Sequence, residues 1–157
     1  GALFLIKRPV IGKIGLLDEA FSPFSYEESD YCLRAREAGF KVVVVPQALV
    51  IHVTSVSMKK VPEAEFFGIT KANEIRFRLL NNSLPWLILF LLHEIYDIMA
   101  HVLERKDKAA SYTLTNLRLR ALWASNLGAF ISGYRRNLAQ AGEIRAKRRD
   151  RTQKQWY

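Results

Sequence analysis

Three carboxylates lie within four residues of one another in the segment from Ser25 to Arg34, which reads SYEESDYCLR. They belong to Glu27, Glu28 and Asp30. Such a concentration of negative charge is costly unless a cation, a polar substrate or a helix N-terminus offsets it. An ionised carboxylate can take the proton of a reacting hydroxyl group as a general base. This segment is therefore the first candidate for chemistry.

The flanking residues predict that these carboxylates start a short helix. Ser25 followed three residues later by Glu28 is a capping-box pattern. An aromatic loop, residues 21–26, precedes the helix, which is expected to run to about Ala38. Gly39 suits the left-handed position that commonly ends a helix. Glu28 thus has two open interpretations, as a reactive carboxylate or as the partner of Ser25 in the cap.

Short apolar runs rich in β-branched residues surround this helix. Residues 2–6, 42–45 and 48–53 are predicted strands, and Pro9 suits the start of a short helix over 10–14. The order β-α-β-β is typical of an α/β layer, although these strands are too few to complete one.

The chain changes character after residue 60 and becomes helical. The second of three predicted helices contains the apolar run Pro85–Leu92, which is shorter than the roughly 20 residues that span a bilayer. Its extension brings in Glu94 and Asp97, each costing about 2.5–3.5 kcal/mol at mid-membrane. An interfacial or re-entrant helix is therefore favoured over a simple span. The predicted helices cover residues 63–80, 84–103 and 113–141.

The formal net charge of +9 is unevenly distributed. Residues 1–60 carry eight Lys and Arg against six Asp and Glu, whereas residues 61–157 carry sixteen against nine. The basic run over 145–157 predicts a polyanionic partner, and the apolar helices beside it favour an anionic membrane surface. Nucleic acid is not expected, because no recognised nucleic-acid module is present. The alternative is a solvated tail. The single cysteine, Cys32, excludes an internal disulfide and suggests a reducing compartment.

Six pieces of residues 1–60 resemble the C-terminal half of a family-two inverting glycosyltransferase in their sequence, their order and their spacing. The resemblance implies a partial GT-A fold (the nucleotide-diphospho-sugar transferase fold), of class α/β, with a C-terminal all-α region. Residues 1–60 would be the acceptor and catalytic part, and residues 61–157 a helical membrane-associating region with a basic tail. The pieces are Gly1-Ala2, IGLLDEAF over 14–21, EESDYCLR over 27–34, AGF over 38–40, VPQA over 45–48 and Ile51-His52.

The resemblance implies transfer of a sugar, with inversion, from a nucleotide-sugar donor to a polysaccharide or lipid-linked acceptor. The most similar branch contains rhamnosyltransferase-like enzymes that build cell-surface polysaccharides. Glu28 occupies the position of the base, where the family usually has Asp, so its carboxylate reaches further by one methylene. Glu27 and Asp30 are expected to bind acceptor hydroxyls or to hold the loop. Asp18 is expected to bind the acceptor or to form a turn.

A metal ion is also implied by the resemblance. His52 stands where the family has a metal-binding histidine that helps to hold Mg²⁺ or Mn²⁺ on the donor diphosphate; otherwise a lone histidine at a strand end is structural. Arg34 is expected to form an ion pair with the acidic cluster or to contact phosphate. The family's acidic Asp-x-Asp motif is absent from this sequence.

The nucleotide-binding half of the fold is expected to precede Gly1, since the sequence has no initiator Met and opens in a predicted strand. The 157 residues alone are therefore not expected to catalyse. The protein is expected to be peripheral, at the cytoplasmic face of the cell membrane. The alternative function is that of a non-catalytic, basic membrane-surface or nucleic-acid-binding protein.

Overall fold

A computed structural model describes residues 3–52, 61–103 and 127–153 of the chain. These residues form six α-helices and one turn of 3-10 helix over Glu19–Phe21, and they contain no β-strand. The helices are α1 (Arg8–Ile14), α2 (Glu27–Glu37), α3 (Glu63–Asn81), α4 (Leu84–Leu103), α5 (Leu127–Ala139) and α6 (Ala141–Gln153).

The predicted α/β class, a partial GT-A fold, is wrong for this structure, which is all-helical where it is described. The described parts of the three predicted strands, residues 3–6, 42–45 and 48–52, are irregular. Val44 is 90% exposed and Ile51 is 95% exposed. Apolar β-branched residues form strands where a neighbouring strand provides a hydrogen-bond ladder and a surface to pack on. The described residues provide no neighbouring strand to these segments, although the Phe4 ring packs edge-on against Tyr31 with the centroids 6.1 Å apart.

The helix boundaries, in contrast, follow the local signals. Pro9 lies in the first turn of α1, and Gly15 ends that helix with φ 78°. Gly39 follows α2 with φ 85°, a backbone conformation that favours glycine. The helices predicted over 63–80 and 84–103 are confirmed as α3 and α4.

The third predicted helix, over 113–141, needs correction. Its described part is α5, and a break at Gln140 separates α5 from α6. The basic segment therefore continues as a helix to Gln153 rather than forming a tail. Residues 104–126 and 154–157 lie outside the described residues.

Helix α3 is the central element, and it packs closely on α5. A Cβ atom placed on Gly133 of α5 would lie 3.2 Å from the backbone nitrogen of Ala72 in α3. One turn further along α5, the Asn137 side-chain amide donates to the carbonyl oxygens of Ala72 and Gly133, both at 2.9 Å. Backbone-to-backbone approach and a buried amide together fix the relative position of the two helices.

A shared core crosses the predicted boundary between residues 1–60 and 61–157. Phe21, from the loop before α2, packs with Leu80 of α3 and Ile144 of α6, and all three are buried. Arg76, also buried, lies over the Phe21 ring with its guanidinium carbon 5.8 Å from the ring centroid. The two predicted regions therefore contribute to one hydrophobic cluster.

Helix α4 contacts α3 through a narrow part of its surface. Phe90 and Glu94 are buried there, and the Glu94 carboxylate lies 2.7 Å from the Lys71 ammonium. No helix in the described ranges combines the length and apolar character needed to cross a bilayer.

The aromatic loop before α2 is held by one side chain of α3. Ser25 and Tyr26 have φ values of 76° and 73°, which cost about 1–3 kcal/mol each for residues with a Cβ. Asn73 is only 1% exposed, and its side-chain amide nitrogen donates to the carbonyl oxygens of Phe21 (2.6 Å), Phe24 (2.7 Å) and Ser25 (3.2 Å). These bonds offset the cost of the strained backbone.

Replacing Asn73 should therefore be costly. We expect Asn73→Ala to lower the free energy of unfolding by about 2–4 kcal/mol, because three loop carbonyls lose their donor. Asn73→Asp should cost more, since a carboxylate would face three carbonyl oxygens. Urea denaturation measures both values. The control is Glu65→Ala, at an exposed position of the same helix, which should change stability by less than about 0.5 kcal/mol. Equal effects of the Asn73 and Glu65 substitutions would refute the role of Asn73.

Candidate functional site

The start of α2 is not capped as the sequence predicted. Tyr26 is the N-cap residue, in a left-handed conformation, and it makes no side-chain capping hydrogen bond. The hydroxyl of Ser25 instead lies 3.3 Å from the hydroxyl of Thr70 in α3. With Tyr26 as N-cap, Glu28 is the second helical residue and not the third. The predicted Ser25–Glu28 capping box is therefore wrong.

Glu27 and Glu28 occupy the first turn of α2, and both are half-buried. One carboxylate oxygen of Glu27, Oε2, is buried without a hydrogen-bond partner in the described structure. The unpaired N–H groups and the dipole at a helix N-terminus favour ionised carboxylates. The first turn of α2 thus holds two adjacent, half-buried acids.

Asp30, in contrast, is enclosed by an ion-pair network. Its carboxylate is completely buried and lies 2.9 Å from Arg34 Nε and 2.7 Å from Arg151 Nη1. Asn81 also donates to it at 3.3 Å. A completely buried carboxylate with these partners joins α2 to α3 and α6, and an acceptor sugar has no access to it here. Its predicted alternative role of holding the loop suits this geometry better.

Each nitrogen atom of the Arg34 guanidinium donates a hydrogen bond. Besides Asp30, it donates to the carbonyl oxygens of Ile14 at 2.8 Å and Leu16 at 3.0 Å. It also lies over the Tyr31 ring, with its central carbon 5.0 Å from the ring centroid. Of the two predicted roles, the ion pair is the one that this geometry favours over phosphate contact.

Asp18 connects the 3-10 turn with two distant helices. Its Oδ1 accepts from the Ala20 amide at 3.1 Å and from Lys147 Nζ at 2.8 Å. Its Oδ2 lies 3.5 Å from Arg76 Nη2. Burial by itself would raise the pKa of Asp18, but the hydrogen bonds and charges of these partners outweigh burial and hold the pKa below its ordinary value. Asp18 is thus a turn-forming, ionised structural residue that also reaches the surface.

An open cleft of about 420 Å³ lies beside Asp18. Its polar wall consists of acidic and basic side chains, and leucines form its apolar side. Glu27 and Glu28 do not line it, so the cleft and the acidic first turn of α2 are separate features. The charged lining residues are Asp18, Glu19, Arg34, Lys147, Asp150 and Arg151.

His52 is exposed, in the irregular segment that follows α2. Within the described ranges, no group of three His, Cys, Asp or Glu side chains is arranged to hold a metal ion. Mg²⁺ is held in proteins by oxygen ligands, usually one or two carboxylates together with waters and substrate phosphates. The described residues alone do not form the predicted Mg²⁺ or Mn²⁺ site, whose acidic ligands the resemblance places in the half expected before Gly1, and the metal therefore stays a prediction.

Several important residues were missed by sequence reasoning. Asn73 and Arg76 are 1% exposed each, although the sequence shows them only as polar positions on an amphipathic helix. Arg76 pairs with Glu143 at 2.7 Å. Lys147 and Arg151 pair with Asp18 and Asp30, although they belong to a run for which an anionic membrane surface, or otherwise a solvated tail, was predicted. The one available signal was that Asn73, Arg76 and Phe77 share a helix face by their spacing of three and four.

Comparison with models of protein families, with curated proteins and with solved structures finds no match to this chain. A function must therefore be inferred from the residues and their geometry.

The buried Asp30 network predicts a strong effect of Arg151. Arg151→Ala should reduce the free energy of unfolding by about 2–4 kcal/mol, because a buried carboxylate loses one of its two cations. Arg149→Ala, at an exposed site of the same helix, is the matched control and should have little effect. A double-mutant cycle with Asp30→Asn should give a coupling energy above about 1 kcal/mol. Additive effects in that cycle would contradict the network.

The lowered carboxylate pKa values predict acid sensitivity. Hydrogen bonds from Lys147 and Arg76 lower the pKa of Glu143, and Lys71 and Arg78 lower that of Glu74 against the opposing effect of burial. Burial opposes the partners of Asp18 as well, and these partners lower its pKa. Because the folded state binds fewer protons, stability is complete above the ordinary values of 3.8 for Asp and 4.5 for Glu, and it falls as pH drops through the lower folded values.

The urea midpoint should therefore decrease as the pH falls from the ordinary carboxyl values through the lower folded values. Burial raises the pKa of Glu94 and of Glu37. These two residues therefore lower the stability as the pH rises above 4.5, and they do not affect the decrease expected at lower pH. Asp18→Asn should make the decrease of the urea midpoint at low pH smaller. An unchanged midpoint across this window would count against the ion pairs as described.

Proposed function

We propose that this chain supplies the proton-accepting segment of an inverting sugar transfer from a nucleotide-sugar donor to a saccharide or lipid-linked acceptor. The observation that carries the proposal is the pair of half-buried carboxylates, Glu27 and Glu28, in the first turn of α2. The resemblance of residues 14–21 and 27–34 to inverting glycosyltransferases supports the same assignment.

In this reaction the acceptor hydroxyl oxygen attacks the anomeric carbon of the donor. The new carbon–oxygen bond forms as the bond from that carbon to the diphosphate breaks, and the electron pair leaves with the diphosphate. Glu28 takes the hydroxyl proton. A base must be ionised before the step, and the N-terminus of α2 favours that state. The extra methylene of Glu relative to Asp lets the carboxylate reach further from the helix.

Glu27 has a separate role in the proposal. Its buried Oε2 lacks a hydrogen-bond partner among the described residues, and a buried acceptor without a partner costs about 1–3 kcal/mol. Because Oε2 is closed to an acceptor sugar, the acceptor hydroxyl would donate to the other carboxylate oxygen of this half-buried side chain. Glu27 would thus orient the hydroxyl while Glu28 removes its proton. Asp18 lines the separate cleft and is not assigned to the reacting centre.

Rigidity of the preceding loop supports this division of roles. A base acts efficiently when it is held within hydrogen-bond reach of the proton it removes. The backbone of Ser25 and Tyr26 is fixed in an uncommon conformation by Asn73 of α3. That loop leads directly into the helical turn that carries the two carboxylates, so α3 indirectly determines their position.

Nucleic-acid binding, part of the alternative function, is less well supported. Three of the five cations in α6 are bonded to other parts of the chain: Lys147 to Asp18, Arg148 to the carbonyls of Leu79 and Asn82, and Arg151 to Asp30. Phosphate recognition along a strand needs cations that are available on one face. The basic run of α6 instead neutralises and caps the protein's own groups.

The proposal is tested by sugar transfer in the full-length protein. Glu28→Gln should lower the rate by about 100-fold or more, because the amide cannot accept the proton. Glu65→Gln, at an exposed carboxylate of α3, should retain the activity of the unmodified protein, and circular dichroism should show all variants folded. Activity near that of the unmodified protein in Glu28→Gln would remove Glu28 as the base. A larger loss in Glu27→Gln than in Glu28→Gln would reverse their assigned roles.

A further inference from the structure

Helix α4 directs its buried polar group toward the protein and its apolar side chains away from it. On the inward side, Glu94 is 5% exposed and Phe90 is 9% exposed. Lys71 Nζ lies 2.7 Å from a Glu94 oxygen, and the Tyr134 hydroxyl donates to the other oxygen at 3.3 Å. Arg78 lies over the Phe90 ring with its guanidinium carbon 4.3 Å from the centroid. Lys71 and Arg78 of α3 and Tyr134 of α5 therefore hold this face of α4.

The outward side of α4 is apolar over a wide arc. At about 100° per residue, the exposed residues from Leu91 round to Leu89 cover an arc of about 160°, whose centre lies about 140° around the helix from Glu94. Their exposed fractions run from 47% for Leu91 to 67% for Leu84. The exposed large apolar residues of α4 are Leu84, Trp86, Ile88, Leu89, Leu91, Leu92, Ile95, Tyr96 and Met99.

This arrangement is the reverse of a helix that faces water. A surface helix buries its apolar stripe against the core and shows its charged side to solvent. Here the polar Glu94 faces the protein and the apolar side faces away from it. Contiguous exposed apolar surface of more than a few hundred Å² marks a site of interaction.

The form of this surface indicates what it binds. A helix that docks on another helix presents a narrow seam, repeating every three and four residues. The apolar arc of α4 is much wider than a seam, and Trp86 lies beyond its edge. Trp and Tyr have apolar rings with a polar atom, which suits the boundary between lipid headgroups and acyl chains. The net charge of +9 complements anionic headgroups.

We infer that α4 binds the surface of an anionic lipid bilayer, lying in the plane of the interface with its outward apolar arc among the upper acyl chains. Lys71, Glu94 and Tyr134 then hold the opposite side of the helix to the protein. The inference depends on α4 and not on the proposed sugar transfer. Loss of activity in Glu28→Gln and loss of lipid binding in α4 variants are therefore independent results.

The test is co-sedimentation of the 157-residue chain with vesicles of phosphatidylcholine, with and without phosphatidylglycerol. The unmodified chain should bind the anionic vesicles more strongly, and added salt should weaken this preference. The double variant Ile88→Gln, Leu92→Gln should reduce partitioning by about tenfold or more, because two side chains no longer enter the apolar layer. Both residues are at least half exposed, so circular dichroism should show an unchanged fold.

A matched control separates α4 from apolar exposure in general. Val44→Gln, Leu49→Gln changes two residues that are 90% exposed each but lie in the irregular segment after α2. This variant should bind vesicles as the unmodified chain does. Absence of vesicle binding by the unmodified chain, or an equal loss in both double variants, would overturn the inference. So would concentration-dependent self-association that Ile88→Gln, Leu92→Gln abolishes while vesicle binding is unchanged, since α4 would then bind a second copy.

Discussion

Neutralisation of buried carboxylates is the constraint that joins the early and late parts of this chain. Asp30 forms ion pairs with Arg34 of its own helix and with Arg151 of α6, and Asp18 forms an ion pair with Lys147 of α6. Taking an ion out of water costs several kcal/mol, which only a well-placed opposite charge offsets. The packing of residues 18–30 therefore requires α6 to be in place. Such pairs add little net stability, but they exclude arrangements that would leave either carboxylate alone.

The loop between the 3-10 turn and α2 depends on a second buried polar group. Two adjacent residues with positive φ are unfavourable unless the surroundings hold them. Asn73 provides this restraint from α3, and its contacts reach residues that are 48 to 52 positions away in the sequence. The direction in which α2 leaves the loop, and with it the position of Glu27 and Glu28, thus depends on a helix outside the segment that carries the acids.

Local signals predicted the helices well and the long-range structure poorly. Pro9, Gly15 and Gly39 act through backbone conformation alone, so their effects are readable from sequence. The apolar runs over 42–45 and 48–52 have strand propensity, which is expressed only with a neighbouring strand. The inward orientation of Arg151 depends on a carboxylate 121 residues away, and nothing in the local pattern distinguishes it from exposed Arg149. The resemblance to glycosyltransferases identified the acidic first turn of α2 but led to the wrong fold class.

The close approach of α5 to α3 at Gly133 has a consequence for the two polar side chains that follow it. Any methyl group at position 133 would push against the backbone of Ala72, and one helix would have to retreat by a few tenths of an ångström. Tyr134 and Asn137 would retreat with α5, and their hydrogen bonds to Glu94 and to the Ala72 carbonyl would lengthen together. Because glycine has only a hydrogen atom as its side chain, α5 can lie this close to α3. The spacing of these two helices also determines how firmly α4 is attached.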